Sequence, residues 1–285
     1  MEIPATTLNE YAKKSYRYLR LSIVIMVAAL IVSVIIERLN ASCWQGSFSA
    51  YYYTPAHAVF IGALVATGAC LIAIKAADDW EDMLLNVAGM LAPVVAFVPT
   101  KPPGTVCSKH PLDLPNRESF VSNNILSLAI GGAIAIAMAY GLARLKRKDL
   151  GVETDKWPVR AGVLGAAAIT LAGVAWFIRD EDSFLAHAHD YSAIAMFVFI
   201  GFVVLFNGFR ARPKYQPYYR VIVGGMAIAA IAVIVAKLVL FEDWAYEVLV
   251  IEAVEAGLFG VFWLLQTLEN WEAGIDQGTR ATPVA

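Results

Sequence analysis

Residues 248–268 read VLVIEAVEAGLFGVFWLLQTL, an apolar run that holds two acids, Glu252 and Glu255, and no basic residue. A run of this length crosses the roughly 30 Å hydrocarbon core of a bilayer as an α-helix. A charge near the centre of a bilayer costs at least about 2.5–3.5 kcal/mol, so acids in such a helix usually face a protein interior, a partner or a watery cavity. The run therefore predicts a membrane-spanning helix whose two carboxylates have a function.

The rest of the chain has the composition of a membrane protein. Of its 285 residues, 59% are hydrophobic and only 16% are charged, which is too apolar for an ordinary soluble domain. Pro93 makes the third apolar run the weakest. We predict an all-α, polytopic membrane bundle of about eight transmembrane helices, over residues 19–36, 55–74, 83–98, 124–142, 161–178, 184–209, 221–240 and 248–268.

The basic residues orient the bundle. With the N-terminus inside, 16 of the 22 Lys and Arg fall in inner segments, five fall in outer segments, and Lys237 falls inside the seventh run. This bias predicts that both termini are cytoplasmic (N-in, C-in) in a multi-pass plasma (inner) membrane protein. The net charge of −2 gives no reason to expect nucleic acid binding. We expect a single transmembrane domain over 1–285, with a cytoplasmic interfacial segment at 1–18 and a flexible cytoplasmic tail at 269–285.

A short internal match suggests a duplication. Residues 55–68 read PAHAVFIGALVATG, and residues 185–201 read LAHAHDYSAIAMFVFIG. Both place Ala-His-Ala at an outer helix start, so a parallel repeat of four plus four helices, 19–142 and 161–268, is one interpretation.

Helix-start signals place several polar side chains at one depth. Thr54-Pro55 is typical of a helix start, and Asp182 or Ser183 is expected to cap the sixth helix. At 1.5 Å per residue, the two glutamates of the last helix then lie in its outer half. Six polar side chains therefore converge on the outer leaflet: His57, His187, His189, Asp190, Glu252 and Glu255.

These donors are of the kind that zinc or another transition metal takes. We predict His57, His187 and His189 as metal ligands and Glu252, Glu255 and Asp190 as catalytic carboxylates, in a pocket that opens outward between the second, sixth and eighth helices. A metal-dependent hydrolase of lipid or envelope substrates would use the metal to activate water and a glutamate to take its proton. Residues two apart on a helix point about 200° away from each other, so one histidine of the His-x-His pair is expected to face elsewhere.

Other functions fit the same residues. The carboxylates could carry protons or cations in a small transporter or channel, and two histidines could hold haem. The protein could instead be a non-catalytic accessory subunit of an envelope complex. The glutamates could also be a structural pair with Lys237 that fixes helix packing.

Four further residues carry structural predictions. Cys43 and Cys107 both fall in outer loops, so a disulfide between those loops is expected, whereas Cys70 lies inside the second helix as a packing residue. Asn207 is expected to be a helix cap or an interhelical hydrogen-bond donor.

Two resemblances add expectations. The runs SAYYYTPAHAVFIGAL (49–64) and LNVAGMLAPVVAFVPT (85–100) look like segments of uncharacterised multispanning bacterial, especially actinobacterial, membrane proteins. Ser183-x-x-x-His187 and the DYSAI stretch at 190–194 resemble pieces of the progestin-receptor, hemolysin III and alkaline ceramidase superfamily, which implies a helical zinc protein. That superfamily has a final His-x-x-x-His, where this chain has Glu252 and Glu255.

Overall fold

The computed structural model describes residues 5–76, 78–113, 117–145, 157–235 and 245–271. Within these ranges the protein is helical and contains no strand, which confirms the predicted fold class. A 3₁₀ helix, Ser49–Tyr53, lies between the first two α-helices. The α-helices are α1 (Ala5–Ala41), α2 (His57–Ala73), α3 (Asp79–Phe97), α4 (Arg117–Leu145), α5 (Trp157–Arg179), α6 (Glu181–Arg210), α7 (Gln216–Val235) and α8 (Glu247–Glu269).

Five of these helices, α1, α3, α4, α6 and α8, are long and apolar enough to cross a membrane. The third run, predicted to be the weakest, forms one of them. Its helix begins where the Asp78 side chain accepts hydrogen bonds from the backbone N–H groups of Trp80 and Glu81, and it continues through Pro93. The N-terminal residues 5–18 belong to α1 rather than to a separate segment.

The bundle is built around α3. This helix packs against α2, α5 and α6, while α1 packs against α2 and α8, and α7 packs against α6 and α8. Helices α2 and α3 approach each other closely at Gly68 and Gly89. A Cβ atom on Gly68 would lie 2.6 Å from the carbonyl oxygen of Gly89, so this contact requires glycine.

Two helix starts differ from the prediction. Helix α2 begins at His57 rather than at Pro55. Thr54 Oγ1 donates to the Tyr51 carbonyl oxygen and accepts from the Ala56 N–H. The expected cap of α6 at Asp182 or Ser183 is wrong. Asp180 caps this helix instead, since its carboxylate accepts from the Ser183 N–H at 3.0 Å.

A buried polar layer joins four helices at the end of the bundle that the charge bias predicts to be the inner one. Asn207 Nδ2 of α6 donates to Glu81 Oε1 of α3 at 2.7 Å, and Gln266 Nε2 of α8 donates to Asn207 Oδ1. Arg20 Nη1 of α1 donates to the Gln266 carbonyl oxygen at 2.6 Å. All four residues are buried, and the prediction that Asn207 makes interhelical hydrogen bonds is confirmed. We call these four residues the inner layer.

The loop of residues 99–113, which the charge bias predicts to lie on the outer side and which we call the outer loop, is fastened to the end of α1. Cys43 and Cys107 form a disulfide with a Cα–Cα distance of 6.0 Å, which confirms the predicted bridge, and Cys70 is a free, buried cysteine. The Gln45 side chain hydrogen-bonds both the N–H and the carbonyl oxygen of Cys107. The outer loop thereby covers the end of the bundle where the 3₁₀ helix lies.

Candidate functional site

His189 of α6 points into the protein and is only 4% exposed. Its Nδ1 lies 2.7 Å from the carbonyl oxygen of Val98, where α3 ends. Its Nε2 lies 2.8 Å from Ser49 Oγ, at the first residue of the 3₁₀ helix. One imidazole therefore connects the end of α3 to the segment between α1 and α2.

Glu252 of α8 contacts the same serine from the other side. Its Oε1 lies 2.6 Å from Ser49 Oγ, and its Oε2 accepts from the Phe48 N–H at 2.7 Å and from the Ser49 N–H at 3.4 Å. The register of α8 is fixed by a backbone bond from the Leu249 N–H to the Gly46 carbonyl oxygen. We call Ser49, His189 and Glu252 the outer trio.

The donors and acceptors of the outer trio limit where its protons lie. The Val98 carbonyl oxygen can only accept, so His189 Nδ1 carries a proton. Ser49 has one hydroxyl proton but lies within hydrogen-bond distance of both Glu252 Oε1 and His189 Nε2. For both contacts to be hydrogen bonds, one further proton must lie on Glu252 or on His189.

Both arrangements leave the outer trio without net charge. In one, a carboxylic acid donates to Ser49, and Ser49 donates to a neutral imidazole. In the other, an imidazolium donates to Ser49, and Ser49 donates to a carboxylate. The three side chains therefore need no external counter-ion, which reduces the cost of placing an acid in the bundle interior.

A cavity of about 80 Å³ begins at two residues of the outer trio and extends between helices. Ser49 and Glu252 line it, and nearly all of its other lining side chains are apolar. They come from α1, α2, α3, α6 and α8 and include Val27, Phe60, Leu71, Met196, Ile200 and Phe259. The sequence predicted a polar pocket that included the second, sixth and eighth helices; these helices do meet at the cavity, but its wall is apolar because they present aliphatic and aromatic residues to it.

The 3₁₀ helix next to the cavity has a buried aromatic shell. Tyr51 is only 1% exposed, and its ring lies 6.3 Å from that of Phe48, between centroids. Burial raises the pKa of the Tyr51 hydroxyl, so this phenol stays neutral beside the site.

The other two histidines that were predicted as metal ligands lie away from the outer trio's hydrogen bonds. His57 Nδ1 is 2.7 Å from the Tyr52 carbonyl oxygen, and its ring packs on the Tyr52 ring at 4.3 Å. His187 is exposed and stacks on Tyr191 at 5.7 Å. Because His189 is buried, the prediction that the two histidines of the His-x-His pair face different surroundings is confirmed.

The remaining predicted acids differ in exposure. Asp190 is exposed. Glu255 is 5% exposed, and its Oε2 has no hydrogen-bond partner within the part of the chain that the structure describes. Lys237, the expected counter-ion, lies outside the described residues, so the predicted pairing of Glu255 with Lys237 stays a prediction.

The predicted metal site has no cluster of ligand side chains in the described part of the chain. Over residues 5–76, 78–113, 117–145, 157–235 and 245–271, no group of three or more His, Cys, Asp or Glu side chains is placed to hold a metal ion. Zinc binding by His57, His187 and His189 therefore stays a prediction from the sequence.

Ser49, the centre of the site, was not predicted from the sequence. It begins the short 3₁₀ helix, in the run SFSAYYY, where a serine looks like an ordinary turn residue. The one sequence feature that pointed to Ser49 was its position at the predicted outer end of two apolar helices. The Val98 carbonyl oxygen and the Phe48 N–H are backbone groups, which no side-chain pattern can reveal.

Comparisons with known proteins found no relative of this chain. No family model, curated protein or solved structure matches this chain. The two resemblances noted in the sequence therefore stay predictions, and the geometry of the site is what bears on function.

Proposed function

We propose that this protein binds an amphiphilic molecule from the membrane, with a segment of its apolar chain in the cavity and its polar group at the outer trio. The observation that carries the proposal is the apolar cavity that ends at Ser49 and Glu252. Ligand pockets commonly combine an apolar wall with a few convergent polar groups. A membrane lipid or an envelope precursor with an acyl or isoprenoid chain has the matching chemistry.

The volume of the cavity limits what it holds. About 80 Å³ is several times the roughly 10–15 Å³ that one water needs, yet smaller than the ~150 Å³ cavity that binds benzene. The cavity therefore accommodates a short segment of chain next to the polar group, while the rest of the ligand lies outside it.

The other functions expected from the sequence have less support. A path for protons or cations needs water or successive polar groups, whereas the cavity below the outer trio has an apolar wall. A metal-dependent hydrolase needs a ligand set, which the described residues do not bring together. The apolar wall thus favours an amphiphile.

The proposal includes the membrane orientation expected from the charge bias, with the outer trio on the outer side of a plasma membrane. A reporter fused after Lys109 is then expected to be exported, and one fused after Glu272 is expected to be cytoplasmic. A cytoplasmic reporter at Lys109 would contradict this orientation.

Filling the cavity is expected to release the ligand. Ala256 lines the cavity, so Ala256→Phe places a ring where the chain lies. Displacing roughly two methylene groups costs about 1.6 kcal/mol, which corresponds to a roughly tenfold loss of affinity. The measurement is the amount of acyl-chain or isoprenoid lipid retained per protein after purification, by mass spectrometry.

The matched control is Ala135→Phe on α4, where the alanine is exposed on the helix surface. This variant is expected to retain as much lipid as the wild type. Equal retention by Ala256→Phe and the wild type, with both proteins folded, would contradict the proposed pocket.

A further inference from the structure

We infer that Ser49 is a nucleophile activated by His189, and that it takes an acyl group from an ester whose chain occupies the cavity. This inference rests on the proposed function, since the cavity is what presents the ester to Ser49. The class of reaction is acyl transfer from an oxygen ester, with water as the final acceptor. The roles belong to Ser49 as nucleophile and to His189 as general base.

The geometry of the pair is that of an activated serine. His189 Nε2 lies 2.8 Å from Ser49 Oγ, within the 2.6–3.2 Å reach that proton transfer requires. The bond from Nδ1 to the Val98 carbonyl oxygen fixes the tautomer, because it places the ring proton on Nδ1. In the arrangement in which Glu252 carries the further proton, Nε2 accepts the hydroxyl hydrogen of Ser49, and the Val98 carbonyl oxygen holds the ring in orientation, as such pairs need.

Ser49 combines burial with access from the cavity. Its side chain is 5% exposed overall, but it belongs to the cavity wall. A chain in the cavity would therefore bring its ester to the serine away from bulk water. The apolar wall below the hydroxyl explains why the substrate class is an amphiphile rather than a small polar ester.

The reaction needs only these residues, the ester and water. Ser49 Oγ bonds to the ester carbonyl carbon while its proton passes to His189 Nε2. The carbon–oxygen bond to the alcohol then breaks, and the alcohol leaves with the proton from His189. Water attacks the acyl-serine, gives a proton to His189, and releases the fatty acid as the proton returns to Ser49 Oγ.

Glu252 acts as a positioning residue. When its carboxyl group donates to Ser49, the serine hydroxyl points to His189; when it accepts from Ser49, the hydroxyl points away from the base. Glutamine at this position can only donate through its amide nitrogen, while its carbonyl oxygen can still accept from the Phe48 N–H. Glu252→Gln therefore favours the reactive arrangement.

The test uses a long-chain alkyl fluorophosphonate on the full-length protein in lipid nanodiscs. Ser49 Oγ is expected to bond to phosphorus with loss of fluoride, and peptide mass spectrometry is expected to place the adduct on Ser49. His189→Gln should slow labelling about 100-fold or more, and Glu252→Gln should label faster than the wild type. The matched control is His110→Gln, an exposed histidine of the outer loop, which should label as the wild type does.

Measurements of lipid retention distinguish a failure of the proposed nucleophile from a failure of the proposed pocket. If the wild type retains lipid that Ala256→Phe loses but Ser49 takes no label, the nucleophile is overturned and the pocket stands. If Ala256→Phe retains as much lipid as the wild type, the proposed pocket is overturned. Wild-type labelling rates in His189→Gln would overturn the role of the base, and slower labelling in Glu252→Gln, with lipid retained, would overturn the proton arrangement.

Discussion

Replacing Asn207 with leucine is expected to lower the free energy of unfolding by about 2–3 kcal/mol, because one side chain makes two interhelical bonds in the inner layer. Its Nδ2 donates to Glu81 Oε1, and its Oδ1 accepts from Gln266 Nε2. Leucine has nearly the same volume but neither group. The buried carboxylate of Glu81 loses its amide donor, so the cost comes mainly from desolvation.

This change in the free energy of unfolding is measured by reversible unfolding with a denaturing detergent in mixed micelles. Asn123→Leu on α4 is the control, since Asn123 is exposed and its replacement is expected to change stability little. A stability loss no larger for Asn207→Leu than for Asn123→Leu would show that the inner layer does not stabilise the bundle.

Removing the disulfide is expected to have a comparable effect. The double variant Cys43→Ser with Cys107→Ser opens a loop whose ends are 64 residues apart, and loss of such a bridge typically costs about 2–4 kcal/mol. The bridge also holds the outer loop, whose Thr100 carbonyl oxygen accepts from the Tyr53 hydroxyl. Thermal unfolding with and without a reducing agent measures the effect.

The free cysteine provides the control for the reducing agent. Cys70→Ala is expected to keep the melting temperature sensitive to reduction, whereas the double variant is expected to lose this sensitivity. A wild-type melting temperature that is the same under oxidising and reducing conditions would contradict a stabilising bridge.

The helices of this protein were easier to predict from the sequence than the contacts between them. Apolar runs indicate helices directly, because each run must satisfy its backbone hydrogen bonds internally in a membrane. The convergence of His189 and Glu252 at one end of the bundle was also predicted from helix starts. The residue that joins them, Ser49, lies in the 3₁₀ helix between α1 and α2, whose position depends on how α1, α2 and α8 pack, and no local periodicity encodes that position.

The inner layer was only partly predictable from the sequence. Asn207 was recognisable as a polar residue inside an apolar run, so an interhelical bond was a fair prediction. Its partners Glu81 and Gln266 lie near helix ends, where polar side chains are ordinary and carry no signal. Helix neighbours such as α3 and α6, which are distant in the chain, become visible only through packing.

The central claim is that the cavity below Ser49 holds the apolar chain of an amphiphile. The most direct test is photo-crosslinking with a fatty acyl probe that carries a diazirine, followed by mapping of the modified residues in the nanodisc-embedded protein. The account predicts adducts at cavity residues such as Met196 and Phe197, lost in Ala256→Phe. Adducts confined to bilayer-facing residues such as Ile130 and Ile134 of α4, which are exposed, would contradict it.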